Sequence, residues 1–232
     1  MNNLILLLSR NQDEYGVLLS KYLSHYYNIV CIYDDTTYTD NDCLNNSFVG
    51  LTKTIKTPSS WDKAFLYIKN HNLVEKFDNF YFIEDDVFSS CLDSFHELIT
   101  KLDNLSDDLI THKLYSINDI KAWQFWPPIQ NDIKYFDQTK LARSLNPFCK
   151  LSSKLVQLIL EFQNKNQTLV FHEILFPSVA HSNNLSVKYL SLIDNIKDYF
   201  GTFTYKKVFG NTQPTDNKIH HPVKIRKIEG VS

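Results

Sequence analysis

The stretch Asn79-Phe80-Tyr81-Phe82-Ile83-Glu84-Asp85-Asp86-Val87-Phe88 decides the fold class of this chain. Phe80 to Ile83 are aromatic and β-branched, the composition of a pleated strand buried on both faces. Three carboxylates follow at once. Adjacent negative charges at the end of a buried strand are costly, and each raises the pKa of its neighbours. A divalent cation removes both problems, and hard carboxylate oxygens suit Mg²⁺ or Mn²⁺. The competing reading is a solvated acidic turn after a core strand. Alternation along a strand puts Glu84 and Asp86 on one side and Asp85 on the other. Asp86 is therefore the expected metal ligand, with Glu84 beside it.

Upstream, residues 4–8 form a continuous apolar run that ends at Ser9-Arg10-Asn11. An amphipathic segment, 15–26, follows Asp13-Glu14, and a second apolar run, 28–33, closes on Asp34-Asp35. Strand, helix, strand is the rhythm of a parallel sheet, whose ligands gather beyond the carboxyl ends of the strands. Downstream, the pattern predicts a short strand over 48–55. It predicts helices over 61–70, with Ser60 as N-cap and Lys63 in the first turn, and over 92–102. A strand is expected within 106–115 and a helix over 148–162, after Pro147. Two prolines keep the aromatic segment 122–128, with Trp123 and Trp126, out of a helix. No repeat or linker divides the chain, so a single domain is expected. Its nucleotide-binding half would cover 1–105, and its acceptor-binding half and tail 106–232.

Composition narrows the function. The 232 residues are 43% hydrophobic and 22% charged, with a formal net charge of −2. That supplies no basic field for nucleic acid or an anionic membrane. The four cysteines, Cys31, Cys43, Cys91 and Cys149, form no C-x-x-C pair and argue against zinc. The apolar run at the N-terminus is too short for a signal peptide, and no stretch is long enough to span a bilayer. A soluble, cytoplasmic protein is the expectation.

Several residues outside the acidic strand end carry possible chemistry. Asp34 or Asp35 could accept hydrogen bonds from a ribose or a base; either could equally cap a turn. Arg10 could clamp a phosphate or sit on the surface. Glu173, between Phe171-His172 and Ile174-Leu175-Phe176, is out of place in an apolar stretch unless it opens a helix or faces a cleft. There it could act as a general base, worth ~10²–10⁴ in rate. His220-His221-Pro222-Val223-Lys224 offers a neutral metal ligand and a cation for phosphate, or else a solvated tail. Trp61 reads as core.

In its order of elements and in Glu84-Asp85-Asp86 after an apolar strand, the chain resembles the GT-A superfamily of nucleotide-sugar-dependent glycosyltransferases. Their D-x-D element, often present as E-D-D, binds the metal–diphosphate. The segments 60–64, 123–126, 143–153, 172–177 and 221–224 look like small viral and bacterial members. The resemblance implies a Rossmann-like, three-layer α/β/α domain with a central, mainly parallel mixed sheet. It implies Mn²⁺ or Mg²⁺, a nucleoside-diphosphate sugar donor (a UDP-sugar foremost) and a glycan or glycoconjugate acceptor. Carried over by position, Asp86 and His221 would be metal ligands. Ser9, Arg10, Asn11, Asp34, Asp35, Lys63, Glu84, Asp85 and Lys224 would hold the nucleotide. Glu173 would be the base of an inverting enzyme. A sugar nucleotidyltransferase would use a similar sheet, but the loop after the first strand lacks the glycines that cradle a triphosphate. A non-catalytic carbohydrate- or protein-binding domain on the same fold is the remaining alternative.

Overall fold

The protein's structure, a computed structural model, describes residues 2–9, 13–33, 60–115, 133–204, 208–210 and 212–224. The strand expected over 48–55, Cys43 and the aromatic segment 122–128 lie outside the described residues.

The predicted opening is present as β1 (Asn3–Ser9), α1 (Glu14–Leu23) and β2 (Asn28–Tyr33). Asp13 caps α1, its carboxylate accepting from the Gly16 N–H at 2.6 Å. Helix α2 (Ser60–Asn70) leads to β3 (Asn79–Glu84), and α3 (Asp93–Asp103) follows. Ser60 is the first residue of α2 rather than the cap before it. The strand expected within 106–115 is two short ones, β4 (Leu109–Thr111) and β5 (Lys113–Tyr115), broken at His112. Then come β6 (Arg143–Leu145), β7 (Phe148–Ser152), α4 (Ser153–Asn166), α5 (His172–Ser182) and β8 (Val187–Tyr189). Two last strands, β9 (Phe200–Phe203) and β10 (Ile219–His221), form a small parallel pair.

The central sheet is six-stranded, in the order β2-β1-β3-β7-β4-β8. β2, β1 and β3 run parallel; β7 is antiparallel to both β3 and β4; and β8 is parallel to β4. This is a Rossmann-like mixed α/β fold. Alternation builds its two cores. Leu4, Leu6, Leu8, Phe80 and Phe82 face the layer that contains α2, α4 and α5. Ile5, Leu7, Tyr81 and Ile83 face α1 and α3. Phe80, Tyr81, Phe82 and Ile83 are all buried, each side chain worth roughly 1.5–3 kcal/mol. That burial anchors a strand whose end must hold carboxylates.

The helix expected over 148–162 is overturned at its start. Residues 148–152 are strand β7 in the middle of the sheet, and the helix begins only at Ser153. Cys149 and Leu151 face one core and Phe148 the other, the alternation of a strand. Lys150 hides that alternation in the sequence because it reads as a surface residue. It is buried instead, its Nζ donating to Leu102 O at 3.1 Å and Leu105 O at 2.6 Å at the C-terminal end of α3. Ser152 then caps α4, its hydroxyl accepting from the Leu155 N–H at 3.2 Å.

Because β1 lies between β2 and β3, the chain reverses its direction of progress across the sheet at the carboxyl ends of β1 and β3. Open α/β sheets bind ligands in that crevice. Ser9 and Glu84 are the last residues of these two strands, and Asp85 and Asp86 follow directly.

Candidate metal centre

Backbone pairing brings the end of the chain to the acidic strand end. Phe88 and His220 exchange N–H···O bonds at 2.9 and 2.8 Å, and the Val223 N–H donates to Asp86 O at 2.9 Å. Ser89 and Ser94 hydroxyls hold the same strap through Asn217 O at 3.1 and 2.6 Å. The segment that could have been a solvated tail is thus the buried strand β10, with His221 over Asp86.

Glu84, Asp86 and His221 each contribute one ligand-type atom, all within 4.8 Å of one another, and this group could hold a metal ion. His221 Nε2 lies 3.1 Å from Asp86 Oδ1 and 3.6 Å from Glu84 Oε2. Its Nδ1 lies 2.7 Å from Thr204 O. A carbonyl only accepts, so Nδ1 carries the hydrogen and Nε2 faces the two carboxylates. That is the arrangement by which an outer partner orients a metal-binding imidazole. Asp86 Oδ1 is buried and accepts no aligned hydrogen bond among the described residues. A buried carboxylate oxygen left in this state fits a cation partner. Two carboxylates and one imidazole are a donor set for a divalent cation.

Charge in the cluster is strongly perturbed. Burial would push Asp86 up, but the contacts from His221 and Lys224 outweigh it and hold the carboxyl well below the usual range. Lys224 Nζ donates to Asp86 Oδ2. Burial, with the Asp86 charge beside it, pushes Glu84 up. For His221, burial favours the neutral ring, but the Asp86 and Glu84 carboxylates prevail and raise its pKa. The His221 ring and the Lys224 side chain thus stand where a divalent cation would neutralise the same oxygens.

Glu84 is held from behind. Trp61 Nε1 donates to Glu84 Oε1 at 2.8 Å. The Trp61 ring is stacked between Phe82, at 5.2 Å, and His172, at 4.0 Å. Trp61 is core, as expected, but it also fixes a candidate ligand, Glu84, a role that no local pattern announces. Burial drops the His172 pKa to about 3, so this ring is a neutral stacking partner.

Glu173, in the first turn of α5, is buried against Arg143, whose Nε donates to Oε2 at 2.9 Å. Burial raises its pKa to about 7, against the opposing pull of Arg143. Glu84 and His221 also act on it, so the candidate metal group and this carboxyl share one electrostatic environment.

The remaining expected residues divide. Ser9 Oγ donates to Asp85 Oδ2 at 3.3 Å, so Asp85 meets the end of β1. Lys63 is buried, its Nζ donating to Tyr33 O at 2.7 Å at the end of β2. Arg10, Asn11, Asp34 and Asp35 lie outside the described residues, as do Trp123 and Trp126. Arg143 was missed as a functional candidate. A lone arginine before Ser144-Leu145-Asn146-Pro147 carries no signal of its own.

No protein-family model matches the chain, and no curated protein sequence matches it significantly. Among solved structures, the chain is similar to A197 from STIV, at 10% sequence identity and a TM-score of 0.39, over 81% of this chain and 80% of that one. No helix among the described residues is long and apolar enough to cross a membrane.

The seating of His221 depends on a close approach next to it. A Cβ on Gly201 would lie 2.0 Å from the His220 ring. His220 is fixed on both nitrogens, Nδ1 accepting from the Thr202 N–H at 3.0 Å and Nε2 donating to Asp216 Oδ1 at 2.5 Å. The ring cannot simply swing away. Gly201→Ala should therefore destabilise the fold by about 1–3 kcal/mol, the usual cost of overpacking. It should also weaken metal binding through His221. Urea unfolding with and without Mn²⁺ checks both effects.

Proposed function

We propose that this protein is a metal-dependent glycosyltransferase. It would move a sugar from a nucleoside-diphosphate donor, a UDP-sugar foremost, to a hydroxyl of a glycan or glycoconjugate. The observation that carries the reading is the Glu84–Asp86–His221 group at the crevice of the mixed sheet, with another buried carboxyl, Glu173, in the same electrostatic environment.

Each residue has a part in this reading. Glu84, Asp86 and His221 would hold Mn²⁺ or Mg²⁺, which when bound would neutralise charge developing on the departing diphosphate. Lys224, freed from Asp86, would place its ammonium on a phosphate oxygen. Ser9, Asp85 and Lys63 would serve the nucleoside side near the ends of β1 and β2, and Arg10, Asn11, Asp34 and Asp35 are proposed to bind the nucleotide with them. Glu173 would take the proton from the acceptor hydroxyl. That oxygen would attack the anomeric carbon as the bond to the diphosphate breaks on the opposite face, inverting the centre. Residues 1–105 would supply the donor side, and 106–232 the acceptor side.

Thermal unfolding against UDP, GDP, CDP, TDP and ADP, with and without Mn²⁺, tests the reading. A ligand at ~100 times its Kd adds roughly 2.7 kcal/mol. A rise in Tm with one nucleotide, only when metal is present, is the expected outcome and names the base. No shift with any of them would remove the donor from the reading.

A further inference from the structure

Glu173 is set by the strand beside it more than by its own helix. Arg143, the first residue of β6, is 3% exposed. Its guanidinium lies 4.5 Å from the ring centroid of Tyr115, the residue directly opposite it on β5. The same strand region grips α5 on both sides of Glu173. The Ala142 N–H donates to Ser178 Oγ at 3.1 Å, and Ser178 Oγ donates to Ala142 O at 3.2 Å. Asn146 Nδ2 donates to His172 O at 3.3 Å. Helix backbone and carboxylate are thus both referenced to residues 142–146.

Burying a guanidinium is expensive, and an apolar pair of similar volume often seats a helix at lower cost. What Arg143 adds is direction. A planar fork donates along fixed lines, which a lysine ammonium does not. Its Nε engages Oε2, and among the described residues Oε1 accepts no hydrogen bond. We infer that Arg143, backed by Tyr115, is the positioning residue of Glu173: it fixes Oε2 and leaves Oε1 as the oxygen that receives a proton. The catalytic meaning of this rests on the glycosyl-transfer reading; the placement of the carboxyl does not. The other titratable groups that act on Glu173 are Glu84 from β3 and His221 from β10.

The test uses the full chain with Arg143→Met and Arg143→Lys. The Glu173 carboxyl is followed by ¹³C NMR with labelled glutamate, its signal assigned by its loss in Glu173→Gln. Removing an adjacent opposite charge should raise the Glu173 pKa by about one unit or more in Arg143→Met, and Arg143→Lys should restore part of that shift. In parallel, Arg143→Met should lower kcat for transfer on the order of 10²-fold, as expected of a misplaced group, with the donor KM near wild type. An unmoved Glu173 titration, or a loss lying entirely in donor KM, overturns the inference. If Arg143→Met does not fold, Arg143→Lys decides: wild-type titration and wild-type kcat together would sink it. A moved titration in a protein that transfers no sugar from any donor would instead sink the glycosyl-transfer reading and leave the positioning intact.

Discussion

Asp86→Asn is expected to lose metal binding by at least ~100-fold, because outer-sphere substitutions alone commonly cost 10–100-fold and Asp86 is a candidate direct ligand. The substitution keeps the shape of the side chain and removes its charge. Asp86 is the centre of the group: Oδ1 faces His221 Nε2 at 3.1 Å, and Oδ2 accepts from Lys224. Without that charge, His221 and Lys224 are left facing a single carboxylate, Glu84. His221 then loses the largest contribution that raises its pKa, and its ring should titrate lower. The backbone of residue 86 still accepts from the Val223 N–H, so the strap of β10 should stay in place. Isothermal titration with Mn²⁺ and Mg²⁺ reads the affinity, and circular dichroism reads the fold. Retained affinity in a folded variant would remove the metal centre from the reading.

Wild-type metal binding should itself fall as pH drops. His221 must give up a proton before Nε2 can bind a cation, and its pKa is raised above the ordinary value by Asp86 and Glu84. The loss should therefore begin at a higher pH than for a free imidazole. The same group bears on stability in the absence of metal. A histidine with a raised pKa in the folded state adds stability at low pH, and that contribution fades as pH rises through the folded value.

The features that were legible in the sequence are local. Phe80 to Ile83 followed by three carboxylates announces a buried strand with a charged end, because composition and order within a few residues determine both. The same holds for β1 and β2. Pairing across the fold is not local. His221 reaches Asp86 only through the bonds between 86–88 and 220–223, and in sequence it is half of a histidine pair in a basic tail. Only family resemblance singled it out. Trp61 and Arg143 are harder still. Each acts through one hydrogen bond to a carboxylate on a distant element, and each looks like an ordinary core or surface residue. Strand β7 is hidden for a related reason: Lys150 solvates its charge on carbonyls at the C-terminal end of α3, which no pattern within residues 148–152 records.

Glu173→Gln should leave nucleotide and metal binding near wild type and reduce transfer by ~10²–10⁴-fold, the contribution of a positioned general base. The amide keeps the size of the side chain and can still accept from Arg143 Nε through its oxygen. It cannot take a proton. Wild-type kcat/KM should rise with pH through about 7, where burial has brought the Glu173 carboxyl, and then level off. The sign follows from the chemistry: only the deprotonated carboxylate is a base. The folded state also keeps this proton at pH values where the unfolded chain, whose carboxyl has the ordinary value of 4.5, has released it. Glu173 therefore makes stability fall as pH rises from 4.5 to about 7, and the glutamine variant should lack that decline. Two independent curves thus report on one carboxyl. A variant that transfers sugar at the wild-type rate would place the base elsewhere, even if its stability curve changed as expected. A variant that lost transfer together with nucleotide binding would show Glu173 to be part of the donor site instead.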